Sequence, residues 1–365
     1  MLRETTEIGP GLLFTVTVSL LLGLGIIQTA NVAARYGGHN GYWGLIGACL
    51  LSILVIFAAS DLQKMYPGKS LMEYAPSVLG KIPGKIVGLV FLLLIFFLLL
   101  WSVRSIAEVI NLYFLQRTPI SVTAGLFIIA VAYLASLGVE GITKTCAFFL
   151  PLAFIIIVLT LLISFQNFDF DQIRPVLYIR QGHVSAVFQL LYAFSPLAAL
   201  FFFLPYLTDQ EKAMPVVLKG TFLSVAVIFV VIVAVMGTFG ARGVLRYSWP
   251  TMELTRVLNL PYLFSSFGGL FAVTWLSQVY IGAGACYFAA AQGSTQLFSC
   301  LHYKWFILIL FPLILFLSLF LPGTVEVRRY FEYFRIAGAI ILFSIPLLLW
   351  ITAKLKNSRG ETNAA

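Results

Sequence analysis

The sequence has 365 residues, of which 61% are hydrophobic and only 10% are charged. A soluble domain is about 45–50% apolar and about 25% charged, and a single hydrophobic core stops growing at roughly 250–300 residues. The composition therefore excludes a soluble enzyme, a secreted module and a nucleic-acid-binding protein. The formal net charge of +9 is attributed to loops that flank a membrane.

Ten segments of 18 or more residues contain no charged residue and no His, and each can cross a bilayer, which takes about 20 helical residues. They are residues 8–34, 40–60, 86–103, 118–139, 145–168, 184–208, 220–241, 257–301, 305–325 and 336–353. No small-residue cleavage site follows the N-terminal residues, so the first segment is interpreted as an uncleaved span. Lysines in the loop 61–85 and the basic residues of the tail 354–359 place both termini in the cytoplasm.

The segment 257–301 is long enough for two spans, which would give eleven spans and move the C-terminus outside. Pro261 and the pair Gly268-Gly269 interrupt its first part. This favours a half-embedded amphipathic piece, Thr251–Leu263, followed by one long span. The prediction is therefore an all-α integral membrane protein of ten transmembrane helices.

Ten spans divide into two groups of five, residues 8–165 and 184–353. Because five is odd, a duplicated second half inserts in the opposite orientation, which gives a 5+5 inverted repeat in one membrane domain. The first and sixth spans share a peculiarity in mid-segment, namely Gly23-Leu24-Gly25 in one and Ser195-Pro196 in the other. Interruptions at corresponding positions point to discontinuous helices 1 and 6 and to a binding site between them. Close packing or a simple kink is the alternative interpretation.

An unwound helix at membrane depth leaves free N–H groups, which suit a carboxylate, and free carbonyl groups, which suit an ammonium group. A small amino acid has both. The predicted ligand-binding residues are Gly23, Leu24, Gly25, Ile26 and Ile27 at the first break, Phe194, Ser195, Leu197 and Ala198 on the facing wall, and Gln278 in span eight. For Gln278, a hydrogen bond between helices remains an equal alternative.

Only two charges lie deep within a predicted span, Arg104 and Glu108. Their i,i+4 spacing puts them on one helix face, so they are interpreted as a structural ion pair, with a functional role as the alternative. The four cysteines lack metal-ligand spacing, and no nucleotide-binding loop or nucleophile–base motif is present. We therefore expect no metal, no cofactor and no enzymatic activity.

Several motifs, in order and spread over nearly the whole chain, resemble the spore germination permease family, the B-subunits of nutrient germinant receptors. They are Gly23–Ile27, Tyr66–Leu71, Arg104–Glu108, Phe114–Ile120, Ile173–Leu177, Leu204-Pro205 and Trp249–Thr251. The resemblance implies an amino acid–polyamine–cation permease fold and a nutrient-sensing role. It also implies two partners, a larger A-subunit membrane protein and a C-subunit lipoprotein, in the inner membrane of the spore.

The chain departs from the family pattern at three places. Gln28–Asn31 stands where many relatives have Leu-Pro, and Ser195–Ala199 lacks the carboxylate that relatives often have in span six. The stretch Tyr262–Phe267 replaces an acidic and basic pair. These departures leave the identity of the ligand open and weaken a proton-coupled mechanism.

Two functions follow as expectations. The first is a nutrient-sensing subunit that binds a small ligand, such as an amino acid, at the helix 1 and helix 6 breaks and so triggers germination. The alternative is a secondary amino acid transporter that works by alternating access and needs a closed transport cycle.

Overall fold

The computed structural model describes residues 7–26, 28–174, 176, 182–257, 267–299, 302–320 and 324–358, and these are almost entirely helical. The α-helices are α1 Pro10–Gly25, α2 Thr29–Gly37, α3 Trp43–Met65, α4 Leu71–Leu79, α5 Lys81–Tyr113, α6 Ile120–Ser136, α7 Gly138–Ser164, α8 Gly182–Leu190, α9 Ala213–Val244, α10 Pro250–Val257, α11 Phe267–Phe298, α12 Tyr303–Phe320 and α13 Thr324–Ser358. A 3₁₀ segment, Leu191–Phe202, continues directly from α8.

Among the described residues, eight helical segments are long and apolar enough to cross a membrane, and two shorter apolar helices accompany them. Together they correspond one to one with the ten segments predicted from the sequence. Several extend beyond the predicted bounds; α5, for example, has 33 residues against the predicted 86–103. The prediction ends each segment at a charge, whereas a helix continues through charges that are paired or that reach the interface.

The region 257–301 contains one long helix, α11, which runs without interruption for 32 residues. Before it, the short helix α10 covers the first part of the predicted amphipathic piece. Residues 258–266, with Pro261 and most of Tyr262–Phe267, lie outside the described residues. In the described part of this region the chain therefore makes one span, as the ten-span prediction requires.

Helix α1 lies at the centre of the bundle, packed against α7, α9, α11 and the 3₁₀ segment. Its side chains Leu13, Val16 and Leu20 are completely buried. Helix α12, in contrast, exposes large apolar side chains such as Leu308 and Phe316. A helix that is apolar all round is buried in protein or faces lipid, so α1 forms the core and α12 faces the bilayer.

A short parallel bridge ties the start of the first span to the end of the sixth. Ile8 N–H donates to the Tyr206 carbonyl at 2.8 Å, and Thr208 N–H donates to the Ile8 carbonyl at 3.1 Å. The two spans predicted to be discontinuous are therefore connected at this end, and both then run into the middle of the bundle.

Candidate functional site: the junction of two interrupted helices

The first span is broken between α1, which ends at Gly25, and α2, which begins at Thr29. Two carbonyl groups near this break accept side-chain hydrogen bonds from the second half of the chain. The Trp275 indole donates to the Gly23 carbonyl at 3.1 Å, and the Thr251 hydroxyl donates to the Ile26 carbonyl at 3.1 Å. These donors satisfy acceptors that have no helical partner at a helix end. Contacts with distant parts of the chain therefore stabilise the break.

The break lies slightly later than the sequence motif suggests. Gly23 and Gly25 are still helical, and the helix ends only after them. Glycine in a helix interior costs about 1 kcal/mol, which surrounding packing can offset. The first glycine instead allows close approach of another helix, because a Cβ on Gly23 would lie 2.6 Å from the Gln278 carbonyl oxygen.

The sixth span changes from the α-helix α8 to a 3₁₀ helix over Leu191–Phe202, and all twelve residues of that segment are buried. Runs of 3₁₀ helix longer than three or four residues are uncommon, and inside a span they often mark a hinge or strain. Pro196 lies within the segment and has no N–H to donate to an α-helical bond. The second predicted discontinuity is therefore a change of helix type.

The two interruptions meet. A Cβ on Gly25 would lie 3.7 Å from the Ala193 carbonyl oxygen and 3.4 Å from the Ile228 side chain. These are ordinary van der Waals distances for a methyl group, so a larger side chain would have to displace its neighbours. The end of α1 thus packs against the start of the 3₁₀ segment in the interior of the bundle.

Most of the predicted ligand-binding residues that the structure describes are buried in the two spans that meet here. The exposed fraction is 3% or less for Ile26, Phe194, Ser195, Leu197 and Ala198. The Ser195 hydroxyl has no hydrogen-bond partner among the described residues. The side chain of Leu24 and all of Ile27 lie outside the described part of the chain, so their predicted roles stay predictions.

Gln278 is fully buried on α11, with its backbone against Gly23. Neither its amide oxygen nor its amide nitrogen has a hydrogen-bond partner within the described ranges. Leaving a buried donor or acceptor unpaired costs about 1–3 kcal/mol. A buried amide without a partner, on the helix that packs against Gly23, is suited to bind a polar group of a ligand or a water molecule.

Arg104 and Glu108 form an ion pair on α5, with 2.9 Å between Nε and Oε1. Both side chains are only 9% exposed. A second guanidinium nitrogen of Arg104 donates to the Ser318 carbonyl on α12 at 3.3 Å. The pair therefore joins two helices as well as neutralising its own charges, and a functional role for it stays open.

A third charged side chain, which the sequence analysis does not single out, is buried in the bundle. Arg335 on α13 is 3% exposed, although the predicted tenth span begins after it. Its guanidinium lies between the rings of Tyr36 and Tyr192, at 5.2 and 5.6 Å from their centroids. The only sequence signal for it is its place among aromatic and apolar residues directly before the tenth segment.

A family model described as "Spore germination protein" matches residues 7–354. The chain belongs to this family. Spore germination proteins B2 and A2 of Bacillus subtilis are each 24% identical to it, and each alignment covers 94% of both chains. Spore germination protein GerLB of Bacillus cereus is 22% identical over 97% of this chain and 96% of its own. The resemblance inferred from the motifs is confirmed.

Solved structures identify the fold of this spore germination protein. MhsT in complex with L-phenylalanine matches with a TM-score of 0.71 at 15% identity, over 93% of this chain and 89% of its own. Mhp1, a nucleobase-cation-symport-1 family transporter with bromovinylhydantoin bound, matches with a TM-score of 0.64 at 14% identity, over 92% of this chain and 76% of its own. The predicted class, an all-α membrane bundle with an inverted repeat and discontinuous helices 1 and 6, is confirmed.

Proposed function

We propose that this spore germination protein is the permease-like, nutrient-sensing subunit of a germinant receptor, located in the inner membrane of the spore. It binds a small nutrient, such as an amino acid, where the two interrupted helices meet. The observation that supports this most is the contact between the end of α1 and the 3₁₀ segment at Gly25 and Ala193. The 3₁₀ segment also carries Ser195, and α11, whose backbone packs against Gly23, carries Gln278; the side-chain polar groups of both are buried and have no partner among the described residues.

In this proposal the chain has a binding role and no catalytic one. A nutrient that binds better to one arrangement of the bundle shifts the population toward it, by no more than its difference in affinity for the two arrangements. An A-subunit membrane protein and a C-subunit lipoprotein then respond to that arrangement. The 3₁₀ segment is the element suited to move, since it is already outside the α-helical geometry.

The first test compares spores with and without the gene across amino acids, sugars and nucleosides. We expect the loss of the response to one nutrient, with the other responses intact. An unchanged response to every nutrient would count against a receptor role.

The second test locates the binding site. Gly25→Leu and Ala198→Leu should raise the nutrient concentration for half-maximal germination at normal protein level, because both positions are enclosed. Gly125→Leu is the matched control, since nothing lies within 4 Å of a Cβ at that glycine of α6. Normal sensitivity in both junction variants would refute the site.

A transporter role is the second candidate, and it is favoured by the fold match to Mhp1, which is itself a transporter. Uptake of a labelled nutrient into liposomes that contain the purified chain distinguishes the two. Accumulation against a gradient would support transport, whereas binding without uptake would support sensing.

A further inference from the structure

Arg335 occupies a position between the two interrupted spans. One terminal nitrogen donates to the Gln189 carbonyl of α8 at 3.0 Å, and the other donates to the Tyr36 hydroxyl of α2 at 3.3 Å. The side chain therefore contacts the second half of span one and the first half of span six at once. Any movement between these halves changes its surroundings.

Arg335 makes no ion pair in the part of the chain that the structure describes. The nearest described acidic residue along α13, Glu332, is paired with Arg35 of α2. The Nε–H of Arg335 is buried and finds no acceptor among the described residues. A buried charge without a partner is costly, and removal of the partner of a buried ion is strongly destabilising in proteins. The surroundings of Arg335 are therefore suited to an anion.

A small cleft that opens to solvent lies beside Arg335, and its cavity volume of about 30 Å³ has room for a group the size of a carboxylate. It is lined by Gln28, Asn31, Val32, Arg35, Tyr36, Ser248, Phe331, Glu332 and Arg335. Gln28 and Asn31 lie at the start of α2, where no side chain caps the helix. The N-terminus of a helix has partial positive charge and free N–H donors, which adds to the attraction for an anion.

We propose that Arg335 binds the carboxylate of the nutrient, in the cleft between α13 and the start of α2. This inference rests on the proposed function and deepens it by naming the chemical group recognised. A guanidinium can form two parallel hydrogen bonds with a carboxylate, and here Nε–H is free to form one of them. A small molecule fits this position better than the side chain of a partner protein, because Arg335 is enclosed by the bundle.

The test uses the full-length chain in lipid nanodiscs. Thermal stabilisation is measured with the proteinogenic L-amino acids, with the corresponding amino acid amides, and with sugars and nucleosides, since a bound molecule raises the stability of the folded state. We expect at least one amino acid to bind about a hundredfold more tightly than its amide, which is a typical effect of losing one partner of a buried charge pair. Arg335→Gln should abolish this preference.

The difference in affinity between an amino acid and its amide shows whether Arg335 recognises the carboxylate or only supports the fold. If Arg335 only supported the fold, Arg335→Gln would weaken the binding of acid and amide alike. Arg335→Lys keeps the charge without the planar fork, so we expect it to fold and to retain a reduced preference. Arg242→Gln, at an exposed position of α9, is the control for the charge change.

The outcomes distinguish this inference from the proposed function. Equal binding of an amino acid and its amide to the unaltered chain, or a full preference in Arg335→Gln, overturns the carboxylate site alone. Binding of only a sugar or a nucleoside also overturns it and leaves nutrient sensing intact. If no nutrient binds, the inference and the proposed function both fail.

Discussion

Gln278 has a fully buried side-chain amide that finds no partner in the described part of the chain. Gln278→Leu replaces it by an apolar side chain of similar size. We expect the free energy of unfolding to rise by about 1–3 kcal/mol, because an unpaired buried group is removed. We also expect a weaker nutrient response, because the helix that carries this amide packs against the end of α1 at the same residue. Thermal unfolding and germination assays measure the two effects.

Gln296→Leu on the same helix is the matched control, and for it we expect the free energy of unfolding to fall instead of rise. Its amide oxygen accepts a hydrogen bond from the Ser70 hydroxyl at 2.6 Å. The loss of this bond should lower the stability by about 1 kcal/mol. A loss of stability in Gln278→Leu as well would mean that the Gln278 amide has a bound partner in the resting protein.

The ion pair between Arg104 and Glu108 allows a prediction about stability. Glu108→Leu leaves a buried guanidinium without its carboxylate, so stability in thermal unfolding should fall by about 3–5 kcal/mol. The double variant Arg104→Met, Glu108→Leu should recover most of that loss, because both charges are removed together. If the double variant is stable and still responds to nutrient, the pair is structural. Stability without any response would assign it a functional role.

Arg335 shows which residues of the site the sequence does not reveal. The glycines of span one, Ser195 and Gln278 are predictable because glycine, proline or a polar group is unusual in the middle of an apolar segment. This criterion does not find Arg335. The predicted tenth segment begins at residue 336, directly after the charge of Arg335, whereas α13 begins earlier, at Thr324. Its burial depends on two tyrosines from other helices, far away in the sequence.

Among the helical elements, the 3₁₀ segment differs from an ordinary helix, and Pro196 lies inside it. Proline in a helix interior is about 3 kcal/mol less favourable than alanine. Pro196→Ala should therefore stabilise the protein and let the segment approach α-helical geometry. We expect a higher thermal unfolding temperature together with a several-fold higher nutrient concentration for half-maximal germination, because a more regular helix rearranges less readily.

Pro312→Ala is the control for this substitution, since Pro312 lies inside the continuous helix α12. It should raise stability and leave the nutrient response unchanged. The prediction for Pro196 is wrong if both variants respond to nutrient like the unaltered chain.

A comparison of the prolines shows how far an interrupted helix can be predicted from the sequence. Pro151, Pro312 and Pro346 all lie within uninterrupted helices. A proline alone therefore does not show that the sixth span is discontinuous. The prediction also needs the glycines at the corresponding position of the first span. The exact end of α1 depends on Trp275 and Thr251, whose donors come from more than 200 residues away. Local sequence does not contain this information.

For the bundle as a whole, ten spans are predictable because the apolar segments are long and the charges between them are few. The orientation is inferred from the lysines of the loop after α3 and the basic residues of the C-terminal tail. An even number of spans puts both termini on one side, and eleven would separate them. Orientation and span number can therefore be tested together.

Single cysteines in a background without the four native cysteines give that test. Arg117→Cys, in the exposed loop after α5, should react with a membrane-impermeant maleimide in intact cells. Lys69→Cys and Asn357→Cys, also exposed, should react only after permeabilisation. Labelling of Asn357→Cys in intact cells would indicate eleven spans. Labelling of Lys69→Cys with protection of Arg117→Cys would reverse the orientation and place the cleft beside Arg335 on the cytoplasmic side.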